Sequence, residues 1–330
     1  MKKILFVVYV LGIVGLLPSC TILQPFSFER LQAADVSFPE QVKSVGVVNY
    51  MPELDWDDES VDYRSGLLEG DGKIATEALA QGIAETGYFS QVVICDSVLC
   101  TQRGARDEDM VIPAEMADSL MQALGVDLLF AMERVQIQLK EGVLFMPEVM
   151  LEVPAIDGAV TPLVRVYVPG RNAPLYSVSK ADTICWELTP ELSYNQMVED
   201  ASGHAGALSV THLIPHWKEL HRYYFDGGNA DMRDAGVYVR EQEWKEAADL
   251  WHQLYDKRKG KIRMQAAYNL ALYYEMQNDL EQAKYYLDAA ASLAKEGSGE
   301  AQLIMFYQLQ LEEQMKQSQR LQLQMKRFEP

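Results

Sequence analysis

Ala235-Gly-Val-Tyr-Val-Arg-Glu-Gln-Glu-Trp-Lys-Glu-Ala-Ala-Asp-Leu-Trp251 recurs in altered form as Ala271-Leu-Tyr-Tyr-Glu-Met-Gln-Asn-Asp-Leu-Glu-Gln-Ala-Lys-Tyr-Tyr-Leu287. An offset of 36 sets Ala235 on Ala271, Tyr238 on Tyr274, Trp244 on Leu280, Ala247 on Ala283 and Trp251 on Leu287. Small residues at fixed places let paired helices cross closely, and the bulky ones fill the space between them. Ala, Leu, Glu, Gln and Lys, all good helix formers, dominate residues 195–330. This half of the chain therefore reads as helical and internally repeated.

The spacing resembles the tetratricopeptide repeat, whose period is about 34 residues. Ala235, Tyr238, Trp244, Ala247 and Trp251 stand where that family places its small, aromatic, bulky, small and aromatic residues, and Ala290 falls on the second small position. The match departs from the family at the turn between the helices, where Gln242 and Asn278 replace glycine, and neither repeat ends in proline. Two repeats are too few for a free-standing stack. Flanking helices over 203–225 and 299–327 are expected to complete it, the latter with an apolar face beginning at Leu303, Ile304 and Phe306.

Residues 41–190 read differently. Val42 to Tyr50 is a β-rich run, and 72–87 has helical apolar spacing through Ile74, Ala75, Ala78, Leu79, Ile83 and Ala84, ending at Gly87. A strand over 90–95, a helix over 113–124 and a strand from Val126 to Gln138 follow, with further strands expected over 142–153, 160–169 and 174–188. The composition shift near residue 190 marks the domain boundary. The fold class expected is α+β: an N-terminal α/β sandwich-like domain with a mixed sheet, then an all-α tetratricopeptide-like helical domain over 195–330.

The first nineteen residues are a basic Met1-Lys2-Lys3 followed by an apolar run too short for a comfortable membrane span. They end in Leu17-Pro-Ser-Cys20, which resembles the bacterial lipobox: an aliphatic residue three before the cysteine, a small one before it, and the thiol that carries a diacylglycerol. Residues 1–19 are thus expected to be a lipoprotein signal peptide, with Cys20 lipidated and 20–40 a tether. The tether would hold the α/β domain near the membrane, with the repeats farther along the chain. Without Lys2 and Lys3 the chain has 27 basic against 48 acidic residues. That balance argues against nucleic acid and against electrostatic attraction to anionic headgroups. Cys95 and Cys100 read equally well as a hairpin disulfide or as small buried hydrophobes.

Val42-Lys-Ser-Val-Gly-Val-Val, Ala78-Leu-Ala-Gln-Gly-Ile-Ala-Glu-Thr-Gly-Tyr-Phe-Ser-Gln-Val-Val and Leu124-Gly-Val-Asp-Leu-Leu resemble the N-terminal α/β domain of several envelope lipoproteins. These include the curli-secretion lipoprotein, lipoprotein activators of penicillin-binding proteins, and the N-terminal domain of the Tol translocation protein. Leu213-Ile-Pro-His-Trp, Arg222-Tyr-Tyr, Trp244-Lys-Glu-Ala-Ala-Asp-Leu-Trp and Ala266-Ala-Tyr-Asn-Leu-Ala-Leu-Tyr-Tyr-Glu are similar to a family of gut Bacteroidota lipoproteins in which such a domain precedes two tetratricopeptide repeats. That likeness implies a fold and brings no activity. Thr21-Ile-Leu-Gln24 lacks the acidic residues that follow the cysteine in surface-exposed lipoproteins of that lineage. This favours an anchor in the outer membrane facing the periplasm.

No motif demands an enzyme, a cofactor or a metal. His212 and His216 have helical zinc spacing, but there is no His-Glu-x-x-His and Pro215 lies between them. Asp55-Trp-Asp-Asp-Glu59 lacks a calcium-loop pattern. The surface with a reason to bind is the groove lined by the first helix of each repeat: Met232, Arg233, Val239 and Arg240, then Gln265, Tyr268, Asn269, Leu272, Glu275 and Met276. Asn269 has the chemistry to hydrogen-bond a peptide backbone. The groove either receives a protein or peptide partner or is filled by the protein itself. The function expected is a membrane-anchored periplasmic adaptor or scaffold of the cell envelope. The rival is a glycan- or peptide-acting hydrolase with unrecognised carboxylates.

Overall fold

The computed structural model describes residues 23–53, 66–95, 99, 111–146 and 150–328. Cys20, Cys100 and the acidic loop Asp55–Glu59 lie outside the described residues; Cys95 is a free thiol. The chain divides into two compact units, residues 32–216 with 320–328, and residues 23–31 with 217–319.

The first unit is built on the mixed sheet the sequence predicts. Strand β2 (Ser44–Asn49) runs parallel to β4 (Gln91–Cys95) and to β5 (Leu128–Met146). Strands β3 (Gly66–Glu69) and β6 (Leu151–Tyr167) pair antiparallel with β5, and β7 (Tyr176–Val178) and β8 (Asp182–Glu187) pair antiparallel with β6. The strand expected over 142–153 is two strands. Chain reversal separates Met146 from Leu151, so β5 and β6 form one long hairpin in register to its tip.

Helix α1 (Gly72–Glu85) starts where the Asp71 side chain accepts the Ile74 N–H at 2.9 Å, and Gly87 beyond its end has φ +62°. Leu79 and Ile83 are fully buried from it, each worth about 1.5–3 kcal/mol of apolar transfer. Helix α2 (Ala114–Leu124) covers the opposite face of the sheet with Ala117 and Met121, against Val48, Leu129, Ala131 and Tyr167. A bulge between Met132 and Arg134 keeps the long β5 in one core. Leu128, Phe130 and Met132 face α1, and the extra residue shifts the parity so that Val135, Ile137 and Leu139 face it too.

Helix α3 (Tyr194–Leu213) lies beyond the composition shift near residue 190, yet it packs with the sheet. Met197, Val198, Ala201, Ala205 and Leu213 are buried in the same core as Val47 and Phe130. The helix expected over 203–225 stops at Leu213. Ile214 precedes Pro215 and is extended at φ −136° and ψ 153°, because proline disfavours helical backbone in the residue before it. The chain continues as strand β9 (His216–Phe225).

In the second unit, β1 (Leu23–Gln32) pairs with β9. Residues 23–32 are therefore an integral strand and not a plain tether. Phe26 packs on Trp244 with ring centroids 4.7 Å apart, and Phe28 joins the same cluster. Helices α4 (Ala230–Arg240), α5 (Trp244–Lys257), α6 (Gly260–Met276), α7 (Leu280–Leu293) and α8 (Gly299–Met325) make up the helical C-terminal region. The offset of 36 is visible in the backbone. Gln242 and Asn278 both adopt left-handed conformations, at φ +65° and +60°. Glu243 N–H to Tyr238 O and Asp279 N–H to Tyr274 O are equivalent bonds of 2.9 and 3.0 Å. Non-glycine residues there carry strain of about 1–2 kcal/mol. Gln242→Gly is expected to stabilise the protein by about 1 kcal/mol in chemical denaturation. Asn278→Gly gains less, because Asn278 Oδ1 also accepts from Arg30 at 2.5 Å.

Charge divides unevenly between the units. Residues 32–216 with 320–330 hold 13 Lys and Arg against 30 Asp and Glu, a net −17. Residues 23–31 with 217–319 hold 14 against 18, a net −4.

Candidate functional site

The groove is closed by the chain itself. Gln265, Tyr268, Asn269, Leu272 and Glu275, expected to line an open surface, are all buried, as are Met232 and Val239. The C-terminal half of β9 fills the space. Asn269 holds a peptide backbone, as its chemistry suggests, but that of Phe225: its Oδ1 accepts the Phe225 N–H at 2.8 Å and its Nδ2 donates to the Phe225 carbonyl at 2.9 Å. Arg222 enters beside it. Its Nε and Nη2 donate to the two Glu275 oxygens at 2.9 and 2.7 Å, and Tyr307 of α8 donates to Glu275 Oε2 at 2.5 Å. Arg222 Nη1 donates to the His221 carbonyl and to Gln310 Oε1, both at 3.0 Å. Burial lowers the Arg222 pKa, but the bonds and charge of Glu275 outweigh it and raise it. Burial, then Glu275, pushes the Tyr307 hydroxyl well above its ordinary value. Of the predicted groove residues, Arg233 and Arg240 are exposed and Met276 is half-buried. Arg240 is tied to Asp226 at 2.6 Å.

Two of the histidines meet different carboxylates. His204 meets Asp182 at 3.1 Å, and His212 meets Asp35 at 2.8 Å. Among the described residues no three His, Cys, Asp or Glu side chains gather as a metal would require. Burial raises the Asp35 carboxyl, but hydrogen bonds from Lys180 and His212 prevail and hold it below the usual carboxylate range. A depressed folded pKa adds stability above the unfolded value, about 4, that is lost as pH falls through the folded one. Asp35→Asn is therefore expected to flatten the fall in stability below about pH 4, followed by urea midpoints across pH.

A buried carboxylate escaped the sequence reading. Glu133, the extra residue of the β5 bulge, has a side chain 2% exposed. It accepts from Tyr167 at 2.5 Å and from Arg165. Burial raises its pKa, against the opposing effects of Tyr167 and Arg165. Tyr167 in turn accepts the Ile112 N–H at 3.1 Å. Both carboxylate oxygens are engaged by the fold, which makes this a fastening of the bulge to β6.

The hairpin tip was missed for a different reason: a strand assigned across 142–153 conceals its reversal. Val143 is 64% exposed, Phe145 51%, Met150 75% and Leu151 59%. Register pairs Val143 with Pro154, Leu144 with Val153, Phe145 with Glu152 and Met146 with Leu151. Successive side chains alternate across a strand, so both faces carry exposed apolar side chains, one of them with Glu152 opposite Phe145.

No curated protein matches the chain. A dodecameric PelC variant of Paraburkholderia phytofirmans is similar at 10% identity over 56% of this chain and 99% of that chain; its TM-score of 0.26 is too low to transfer a fold. Residues 233–313 match a family model described as Domain of unknown function (DUF6340). Residues 42–225, more than half of the chain, match that of Domain of unknown function (DUF8603), and the protein belongs to this family.

Proposed function

We propose that the protein is a periplasm-facing envelope lipoprotein, acylated at Cys20, that serves as a non-catalytic adaptor and docks a partner protein through the tip of its β5–β6 hairpin. The exposed, two-sided apolar tip carries this reading. Four large apolar side chains stand more than half exposed at one place, and such a patch suits a protein interface. The net −17 of the unit bearing the tip would steer it toward a basic partner surface. The helix pairs at offset 36 support tetratricopeptide-like packing, with the groove serving cohesion. The hydrolase reading has less support, since the oxygens of Glu133 are already occupied.

Photo-crosslinking in intact cells tests the docking. A photoreactive residue at Phe145 or Met150 is expected to yield a defined adduct, and one at exposed Glu187 is not. Equal yields from all three positions would refute it. Acyl labelling that persists in Cys20→Ala would refute the anchor.

A further inference from the structure

We infer that the helical unit is the part of the protein that the lipid anchor holds against the bilayer, with the phospholipid headgroup layer as the surface it meets. This rests on the reading that Cys20 is acylated. Strand β1 begins at Leu23, three residues beyond Cys20. A trans chain advances at most about 3.6 Å per residue, so the Leu23 Cα lies within about 11 Å of the Cys20 Cα. From there the chain has no slack. Phe26 is seated on Trp244, Phe28 is half-buried against the same core, and Arg30 donates to the Glu275 carbonyl at 3.1 Å and to Asn278 at 2.5 Å. Phe26 is six residues from Cys20, within about 22 Å, so Trp244 and the neighbouring turn 241–243 are confined close to the acyl chains.

Charge is compatible with that position. Headgroup charge acts over a Debye length of about 8 Å at physiological salt. A unit carrying net −4 is repelled less by an anionic leaflet at that range than the unit of net −17 would be. The exposed Leu23, at the membrane end of β1, adds an apolar contact there.

The test uses the full acylated protein in vesicles of phosphatidylethanolamine and phosphatidylglycerol, with Cys95, Cys100 and Cys185 replaced by serine and a donor fluorophore on a cysteine at Glu243. Energy transfer to a headgroup-labelled acceptor lipid is compared with a variant carrying twenty Gly/Ser residues between Thr21 and Ile22. Such an insert adds a mean span of about 25 Å. Strong transfer that falls at least threefold with the insert is the expected result. Weak transfer without the insert, or equal transfer in both proteins, overturns the inference while leaving acylation intact. Mass spectrometry of the N-terminal peptide separates the two: absence of the acyl mass overturns the lipoprotein reading and this inference with it.

Discussion

Arg222→Ala is expected to destabilise the protein by about 3–5 kcal/mol, the cost of removing one member of a buried ion pair. Glu275 is fully buried, and without Arg222 it retains the Tyr307 hydroxyl but loses two charge-assisted bonds. The penalty is chiefly the desolvation of an uncompensated buried carboxylate. Removing both partners is expected to cost less, because the uncompensated carboxylate goes with them and only the Tyr307 hydroxyl is left without its acceptor. Arg222→Met with Glu275→Leu should therefore recover a large part of the loss. Guanidinium melts of the single and double variants decide it. A single-variant loss below about 1 kcal/mol, or a double variant as unstable as the single, would show that the pair is not what seals the groove.

Gly206→Val is expected to cost about 3 kcal/mol or more through forced separation of two helices. A Cβ on Gly206 would stand 2.7 Å from Ala78 Cβ and 2.8 Å from the Leu79 nitrogen, and would run into the Ala75 carbonyl. Much of that obstruction is α1 backbone, which cannot rotate away as a side-chain end can. Gly203, one turn earlier on α3, is the internal control, because a Cβ there meets nothing within 4 Å. Gly203→Ala should stabilise by up to about 1 kcal/mol from helix propensity alone. Opposite signs from two glycines on one helix, read as shifts in the denaturation midpoint, would establish that the crossing and not helix propensity sets the requirement at 206.

Legibility followed the range of the interactions. Helix α1 was readable because its apolar spacing, the Gly87 stop and the following β-rich run are all local. The equivalence of Gln242 and Asn278 was readable as a departure from glycine, though not the left-handed backbone that both residues bear. Phe306 was assigned to the buried face of α8 and is 59% exposed, while Tyr307 beside it is buried. Tyr307 faces inward, where its hydroxyl reaches Glu275. Asn269 was expected to face the backbone of a ligand peptide. Its ligand, Phe225, lies 44 residues away in the same chain, beyond any local pattern.

By itself the sequence determined the helices over 72–87 and 113–124, the largely helical character of the C-terminal half, the offset of 36, and the mixed α/β character of the first half, but not that 23–32, 66–69 and 216–225 are strands. The former follow from side-chain periods and turn residues that act within a few positions. Only the tertiary structure decided that β9 closes the groove beside α6, that α3 belongs with the sheet, and that β1 is built into the helical unit. Each depends on pairings far apart in the chain, such as Arg30 with Glu275 across 245 residues. A buried polar group must find a partner wherever the fold supplies one, and local sequence carries no record of where that partner stands.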